Sequence, residues 1–316
     1  MLLYCGETGI IMLTYLILCL GLVGLFLGGD WLVRGASGIA LRFGVSPMVI
    51  GLTIVGFGTS TPELLVSLNA ALGGQPGIAI GNVVGSNIAN LLLILGLAAV
   101  ITPVTVDFAS SRRDLFWMAG ATVILPLLFW SGSVGLIEGL LMVAALIIYL
   151  TISLRDTGHV DVDLPPNSNL LRSILTALLG LAAVMAGAHY LVESATIIAR
   201  QFGVSEAMIG LSIVAIGTSL PELATTIMAI IRGERDIAVG NVIGSNIFNV
   251  LGILGITALV TPIPLDPRFL QIDTPFVIAI TVVLVLILWS IGRLSRVIGA
   301  LMIATYAAYL GLTYAM

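Results

Sequence analysis

The sequence predicts an all-α polytopic membrane protein of ten transmembrane helices, arranged as two inverted five-helix repeats. Three observations predict it. The 316 residues are 59% hydrophobic and only 9% charged, with a mean hydropathy of +1.18, too little polar surface to cover a soluble globule of that size. Apolar runs recur at the length of a bilayer crossing, which takes about 20 residues per helix. The second half of the chain also repeats the first: Phe43, Gly44, Val45 and Ser46 return as Phe202, Gly203, Val204 and Ser205 at an offset of 159 residues.

Taken in order, the apolar runs place spans at 10–34, 46–72, 77–101, 114–131 and 134–154, then at 169–199, 205–231, 236–260, 271–290 and 294–314. Residues 1–154 form the first repeat and 169–316 the second. The connector, 155–168, carries Asp156, His159, Asp161, Asp163, Pro165 and Pro166. It lacks the ligand and glycine pattern of an EF-hand and reads as a hydrated hinge. The first basic residue is Arg34, so the first run is expected to be a retained span rather than a signal peptide. Cys5 and Cys19 fit no metal or redox spacing, and no disulfide is expected.

The offset holds along the whole chain. It carries Gly51 to Gly210, Glu63 to Glu222, Gly81 and Asn82 to Gly240 and Asn241, and Thr102 and Pro103 to Thr261 and Pro262. With an odd number of spans in each copy, the second must enter the membrane with opposite orientation. Charge tests that expectation independently. All 12 basic residues are arginine, and only Arg200 and Arg268 fall outside the loops that follow spans 1, 3, 5, 7 and 9. By the positive-inside rule those loops are cytoplasmic and both termini face outward.

Chemistry concentrates in two stretches, GTSTPE at Gly58 to Glu63 and GTSLPE at Gly217 to Glu222. A carboxylate, two hydroxyls and a proline inside an apolar run are expected only where the chain faces protein or a hydrated cavity. Pro62 and Pro221 have no N–H, so the carbonyls of Gly58 and Gly217 should lose their helical partners. Those carbonyls, with Thr59, Ser60, Thr218, Ser219, Glu63 and Glu222, make a set of hard oxygen donors. Sodium or calcium suits such a set; zinc and copper do not.

The following span of each half supplies GNVVGSN at Gly81 to Asn87 and GNVIGSN at Gly240 to Asn246. Asn82, Ser86 and Asn90 are spaced by four, as are Asn241, Ser245 and Asn249, so each set shares one helical face. Gly81, Gly85, Gly240 and Gly244 should permit close helix approach. Two carboxylates converging in a low-dielectric site repel unless a cation or proton is present, so protons should compete with calcium there. Asp30 and Glu193 lie near span ends and should snorkel or pair with a neighbour. Glu138 and His189 are lone polar residues with structural or interfacial roles.

These paired motifs resemble the two repeats of the cation/calcium exchanger superfamily, in particular the prokaryotic sodium/calcium exchangers. The resemblance covers essentially the whole chain. It implies an integral protein of a prokaryotic cell (inner) membrane that exports calcium as sodium enters, with the ions bound alternately at one midplane site among spans 2, 3, 7 and 8. It implies that Glu63 and Glu222 are the central calcium ligands, helped by backbone oxygens around Thr59 and Thr218. Ser60, Ser86, Ser219 and Ser245, with the backbone of Gly56 and Ala215, would complete flanking sodium sites, and Asn90 and Asn249 would line the centre. Spans 1 and 6 would slide against that core. Some exchangers, including the potassium-dependent branch, carry aspartate where this chain has Asn249, which argues against potassium co-transport. The expected partners are calcium and sodium as transported ions and the lipid bilayer, with no nucleic acid, no cofactor and a monomeric chain.

A proton-coupled calcium exchanger is the runner-up, because the same carboxylates could exchange protons. Its members usually place a glutamate shortly after the GN of the second motif, where Val83 to Asn87 supply none. A cation channel could use the same donors, but paired broken helices favour alternating access. No enzyme is expected, for the chain lacks HExxH, GxSxG and paired-aspartate motifs.

Overall fold

The computed structural model describes residues 2–155, 169–203 and 215–315. The connector with Asp156, His159, Asp161 and Asp163, and the first part of the seventh predicted span with Ser205 and Gly210, lie outside them, as does the side chain of Cys5. In chain order the first half contains α1 (Leu2–Phe43), α2 (Pro47–Thr59), α3 (Thr61–Leu72), α4 (Pro76–Ile101), α5 (Phe108–Val123), α6 (Leu125–Leu128) and α7 (Leu136–Arg155). The second contains α8 (Leu170–Gln201), α9 (Ala215–Gly217), α10 (Leu220–Ile231), α11 (Arg235–Val260), α12 (Phe269–Ile291) and α13 (Arg296–Ala315).

Among the described residues, seven helices are long and apolar enough to cross a membrane: α1, α4, α7, α8, α11, α12 and α13. The α2–α3 pair, bent by 43°, is long and apolar enough only when its two helices are taken together. Two predicted spans differ in form. The run at 114–131 begins earlier, at Phe108, because Asp107 caps α5 by accepting the Ala109 N–H at 3.1 Å. It is then interrupted at Ile124, with Pro126 in the first turn of α6. The first helix runs beyond Arg34 to Phe43, since Arg34 is paired with Asp30 one turn back at 3.0 Å and does not end the helix.

The reading as all-α misses four two-residue strands. Val104–Thr105 (β1) pairs with Arg293–Leu294 (β4), and Ser133–Val134 (β2) pairs with Ile263–Pro264 (β3), both antiparallel. Each ladder joins one half to the other. So short a pairing has no alternation for a sequence to display.

Helices α4 and α11 form the centre. In their most apolar stretches 72% and 89% of residues are buried, against 17% to 33% for the other five long helices. Helix α2 sits directly on α11: a Cβ on Gly240 would stand 2.5 Å from the Met48 carbonyl oxygen, and one on Gly244 2.2 Å from that of Leu52. Those two glycines therefore have the close-approach role expected of them. For Gly81 and Gly85 no such backbone neighbour occurs among the described residues; the segment one repeat offset beyond α2 lies outside them.

Outside this centre, α1 and α8 pack on each other through glycine. A Cβ on Gly28 would meet the Val184 nitrogen at 2.6 Å, and one on Gly180 the Leu32 nitrogen at 2.3 Å. Gly21 faces Gly187 and Gly35 faces Ala177, so the contacts descend α8 as they climb α1. The two helices, each the first of its half, run antiparallel.

Candidate functional site

The motif breaks are short turns, one residue at Ser60 and two at Thr218 and Ser219. Ser60 (φ −84°, ψ 6°) separates α2 from α3, and Ser219 (φ −91°, ψ 6°) precedes α10. Pro62 and Pro221 occupy the first turns that follow, where a missing N–H costs nothing. Glu63 and Glu222 stand in the same first turns, near the positive ends of the helix dipoles. Behind each break, Gly74 (φ +73°) and Gly233 (φ +79°) turn the chain into the next helix through left-handed backbone that favours glycine.

Each carboxylate is 1% exposed or less and is held by the opposite half. The Ser60 hydroxyl donates to Glu222 Oε1 at 2.8 Å, and the Ser219 hydroxyl to Glu63 Oε1 at 3.4 Å. Two amides brace the breaks. Asn82 on α4 donates to the Glu63 carbonyl at 3.0 Å and the Ser67 hydroxyl at 2.9 Å, while its Oδ1 accepts from Thr218 at 3.3 Å. Asn241 on α11 does the same one repeat later, donating to the Glu222 carbonyl at 3.3 Å and Thr226 at 2.9 Å, and accepting from Thr59 at 3.2 Å. Every bond in one set has its counterpart in the other.

The remaining predicted residues join this network or border it. Ser86 lies 3.3 Å from the Ser219 hydroxyl, and Ser245 donates to the Gly56 carbonyl at 3.3 Å. That carbonyl also takes the Ser60 N–H at 3.1 Å and the Thr59 hydroxyl at 3.2 Å. It is thus Gly56, more than Gly58, whose backbone oxygen gathers polar partners at the first break. Ala215 opens α9. Asn249 donates to Asn87 Oδ1 at 2.9 Å across the α4–α11 contact. Asn90 and Asn249 sit in π-helical turns, Asn90–Ile94 and Phe248–Leu254, a local widening that often marks functional positions.

Of the buried side-chain oxygens without a hydrogen-bond partner among the described residues, four belong to residues predicted for this site: Glu63 Oε2, Glu222 Oε2, Asn90 Oδ1 and Asn249 Oδ1. All four accept and cannot donate when the carboxyls are ionised. Leaving such oxygens unpaired in a dry interior is costly, so they call for a cation or proton. No group of three or more His, Cys, Asp or Glu occurs among the described residues, and the donors are oxygens throughout, as a hard cation requires.

Comparisons with known proteins place the chain in a family. The sodium/calcium exchanger protein family matches residues 13–155 and, separately, residues 172–315. The chain belongs to this family. One family matched once by each half states the duplication directly. The sodium/calcium exchanger MaX1 of Methanosarcina acetivorans is 35% identical over 95% of this chain and 98% of its own length. The inner membrane protein YrbG of Escherichia coli is 35% identical over 94% and 96%. A solved structure of the sodium-calcium exchanger NCX_Mj, soaked with sodium and calcium, superposes with a TM-score of 0.85 at 32% identity, covering 95% of this chain and 98% of that one. This family member is accordingly an integral membrane protein of the cation/calcium exchanger type.

Sequence reasoning missed some parts and misjudged others. Ser67 and Thr226, the hydroxyls that hold Asn82 and Asn241, went unnoticed, although they are polar residues in register at the repeat offset. Asn87 was seen only as part of its motif. Glu138 and His189, for which the sequence shows no partner and a structural or interfacial role is expected, have local ones: Glu138 Oε2 accepts the Gly135 N–H at 3.0 Å at the start of α7, and His189 lies 3.8 Å from Glu193 one turn along α8. Partners so near in sequence need only helical spacing to be found. Asp30 pairs as expected, with Arg34 and with Arg232 of α10.

Proposed function

We propose that this protein is a sodium/calcium antiporter that works by alternating access and exports calcium as sodium enters. The observation that carries the reading is the crossed pair of carboxylates, Glu63 held by Ser219 and Glu222 held by Ser60, each with its second oxygen unpaired. Two carboxylates in a low-dielectric site repel one another, and one calcium ion neutralises both. Sodium ions neutralise them severally. A site that is unfavourable when empty favours exchange over uncoupled leak.

In this reading Glu63 and Glu222 are the central calcium ligands, with backbone oxygens around Thr59 and Thr218. Ser60, Ser86, Ser219 and Ser245, with the backbone of Gly56 and Ala215, take sodium on either side, and Asn90 and Asn249 line the centre. The ten spans form two inverted repeats, 1–154 and 169–316, joined by a cytoplasmic connector at 155–168, with both termini outside. The antiparallel run of α1 against α8, the exchange of β1–β4 for β2–β3 between halves and the doubled hydrogen bonds of Asn82 and Asn241 support that symmetry. The α1–α8 pair slides against the core to expose the site to either face.

Calcium uptake into proteoliposomes under an outward sodium gradient tests the reading. Uptake should be strong with sodium and absent with lithium, potassium or a proton gradient alone. Equal uptake under a proton gradient would make it a proton/calcium exchanger, and single-channel currents would make it a channel.

A further inference from the structure

We propose that a cavity between α1 and α8, remote from the carboxylate pair, binds the headgroup of an anionic phospholipid. The cavity measures about 410 Å³ and is lined by Trp31, Arg34, Arg172, Ser173, Thr176 and Leu179. Its composition is that of a membrane interface: two guanidiniums, two hydroxyls, and an indole that suits the boundary between headgroup and acyl chain.

Charge selects the occupant. Arg34 shares Asp30 with Arg232, so one carboxylate serves two guanidiniums, and among the described residues no carboxylate pairs with Arg172. Among the described residues the cavity therefore has more guanidinium than carboxylate, in a planar, bidentate form that matches phosphate oxygens. Its arginines belong to the loop-flanking set that predicts the cytoplasmic side, whose leaflet surface is negative, and basic pockets between membrane helices bind phosphorylated headgroups.

The surroundings favour a lipid over free phosphate. Beyond Arg172 along α8, Leu175 and Leu178 are exposed, and before Trp31 along α1 so are Leu27 and Val23, an apolar stripe beside the lining residues. Acyl chains can lie on that stripe while the phosphate sits between the arginines. Free phosphate would gain nothing from it. A bound headgroup also draws on Arg34, and so bears on Asp30, which links α1 to Arg232 of α10.

Native mass spectrometry of the full-length protein, titrated with phosphatidylglycerol, phosphatidylcholine or inorganic phosphate, tests this. Phosphatidylglycerol should be retained as one lipid per chain in preference to phosphatidylcholine, and inorganic phosphate should not displace it. Arg172→Gln should weaken retention about fivefold, the weight of one arginine near an anionic surface, while Arg112→Gln, on another part of the basic face, should not. Calcium exchange in phosphatidylcholine vesicles shows whether Arg172→Gln is folded; if it is not, Arg172→Lys should fold and show a smaller loss. Equal retention of the two lipids, unchanged binding in Arg172→Gln, or equal loss in Arg172→Gln and Arg112→Gln would overturn the proposal. Displacement by phosphate at lipid-like concentrations would overturn the choice of a lipid.

Discussion

The two halves of the site carry the same residue types in the same register, yet they hold their carboxylates unequally. Ser60 is committed to Glu222 at 2.8 Å, whereas Ser219 stands 3.4 Å from Glu63 and shares its hydroxyl with Ser86 at 3.3 Å. The asparagines diverge too: Asn87 reaches across to the Asn246 carbonyl at 3.4 Å, but Asn246 turns back onto Val242 of its own helix at 2.7 Å. Duplication sets which atoms pair, and conformation sets how tightly. In the alternating access proposed above, a carrier that opened equally to both faces would leak, and inequality between like halves is consistent with it.

The most forceful way to break the comparison is to remove one carboxylate. Glu63→Gln and Glu222→Gln should each reduce calcium exchange in proteoliposomes by about a hundredfold or more, since breaking a buried charge arrangement costs about 3–5 kcal/mol. If one half could bind alone, one of the two variants would keep substantial activity. Acid should act on both halves together. Protonating either carboxylate removes negative charge that calcium needs, so uptake should fall as pH falls and recover at higher calcium. Uptake independent of pH across the acid range would contradict competition for the pair.

Smaller changes sharpen the inequality. Ser60→Ala removes the shorter bond to a charged acceptor and should raise the apparent KM for calcium about tenfold, whereas Ser219→Ala should change it about threefold or less. Equal effects would mean that the two distances carry no energetic difference. At the level of stability, Gly244→Ala drives a methyl into the Leu52 carbonyl and should destabilise the purified protein to heat by about 1–3 kcal/mol. Gly85→Ala, with no close backbone neighbour among the described residues, should cost less.

Much of this was legible in the sequence because duplication supplies each residue with a control. Glu63 alone is a charge in an apolar run; Glu63 with Glu222 at the same position of a second copy points to half of a site. The four-residue spacing puts Asn82 and Ser86 on one face of α4, and both reach residues of the breaks. Other features left no periodic trace. That Asn82 braces the Glu63 carbonyl, or that Gly56 gathers three donors, depends on how helices distant in sequence meet. The two-residue strands are tertiary outcomes as well, whereas the interruption of α5 at Ile124 comes with Pro126, which the sequence displays. Residues near in sequence were the avoidable misses, since His189 and Glu193 stand one helical turn apart.

The central claim is that Glu63 and Glu222 form one calcium site, not two. Equilibrium calcium binding to purified protein in the absence of sodium tests it most directly. The account predicts one calcium per chain in the wild type and none at the same concentrations in either Glu63→Gln or Glu222→Gln. Two calcium ions per chain, with each variant losing only one, would show separate sites and contradict it.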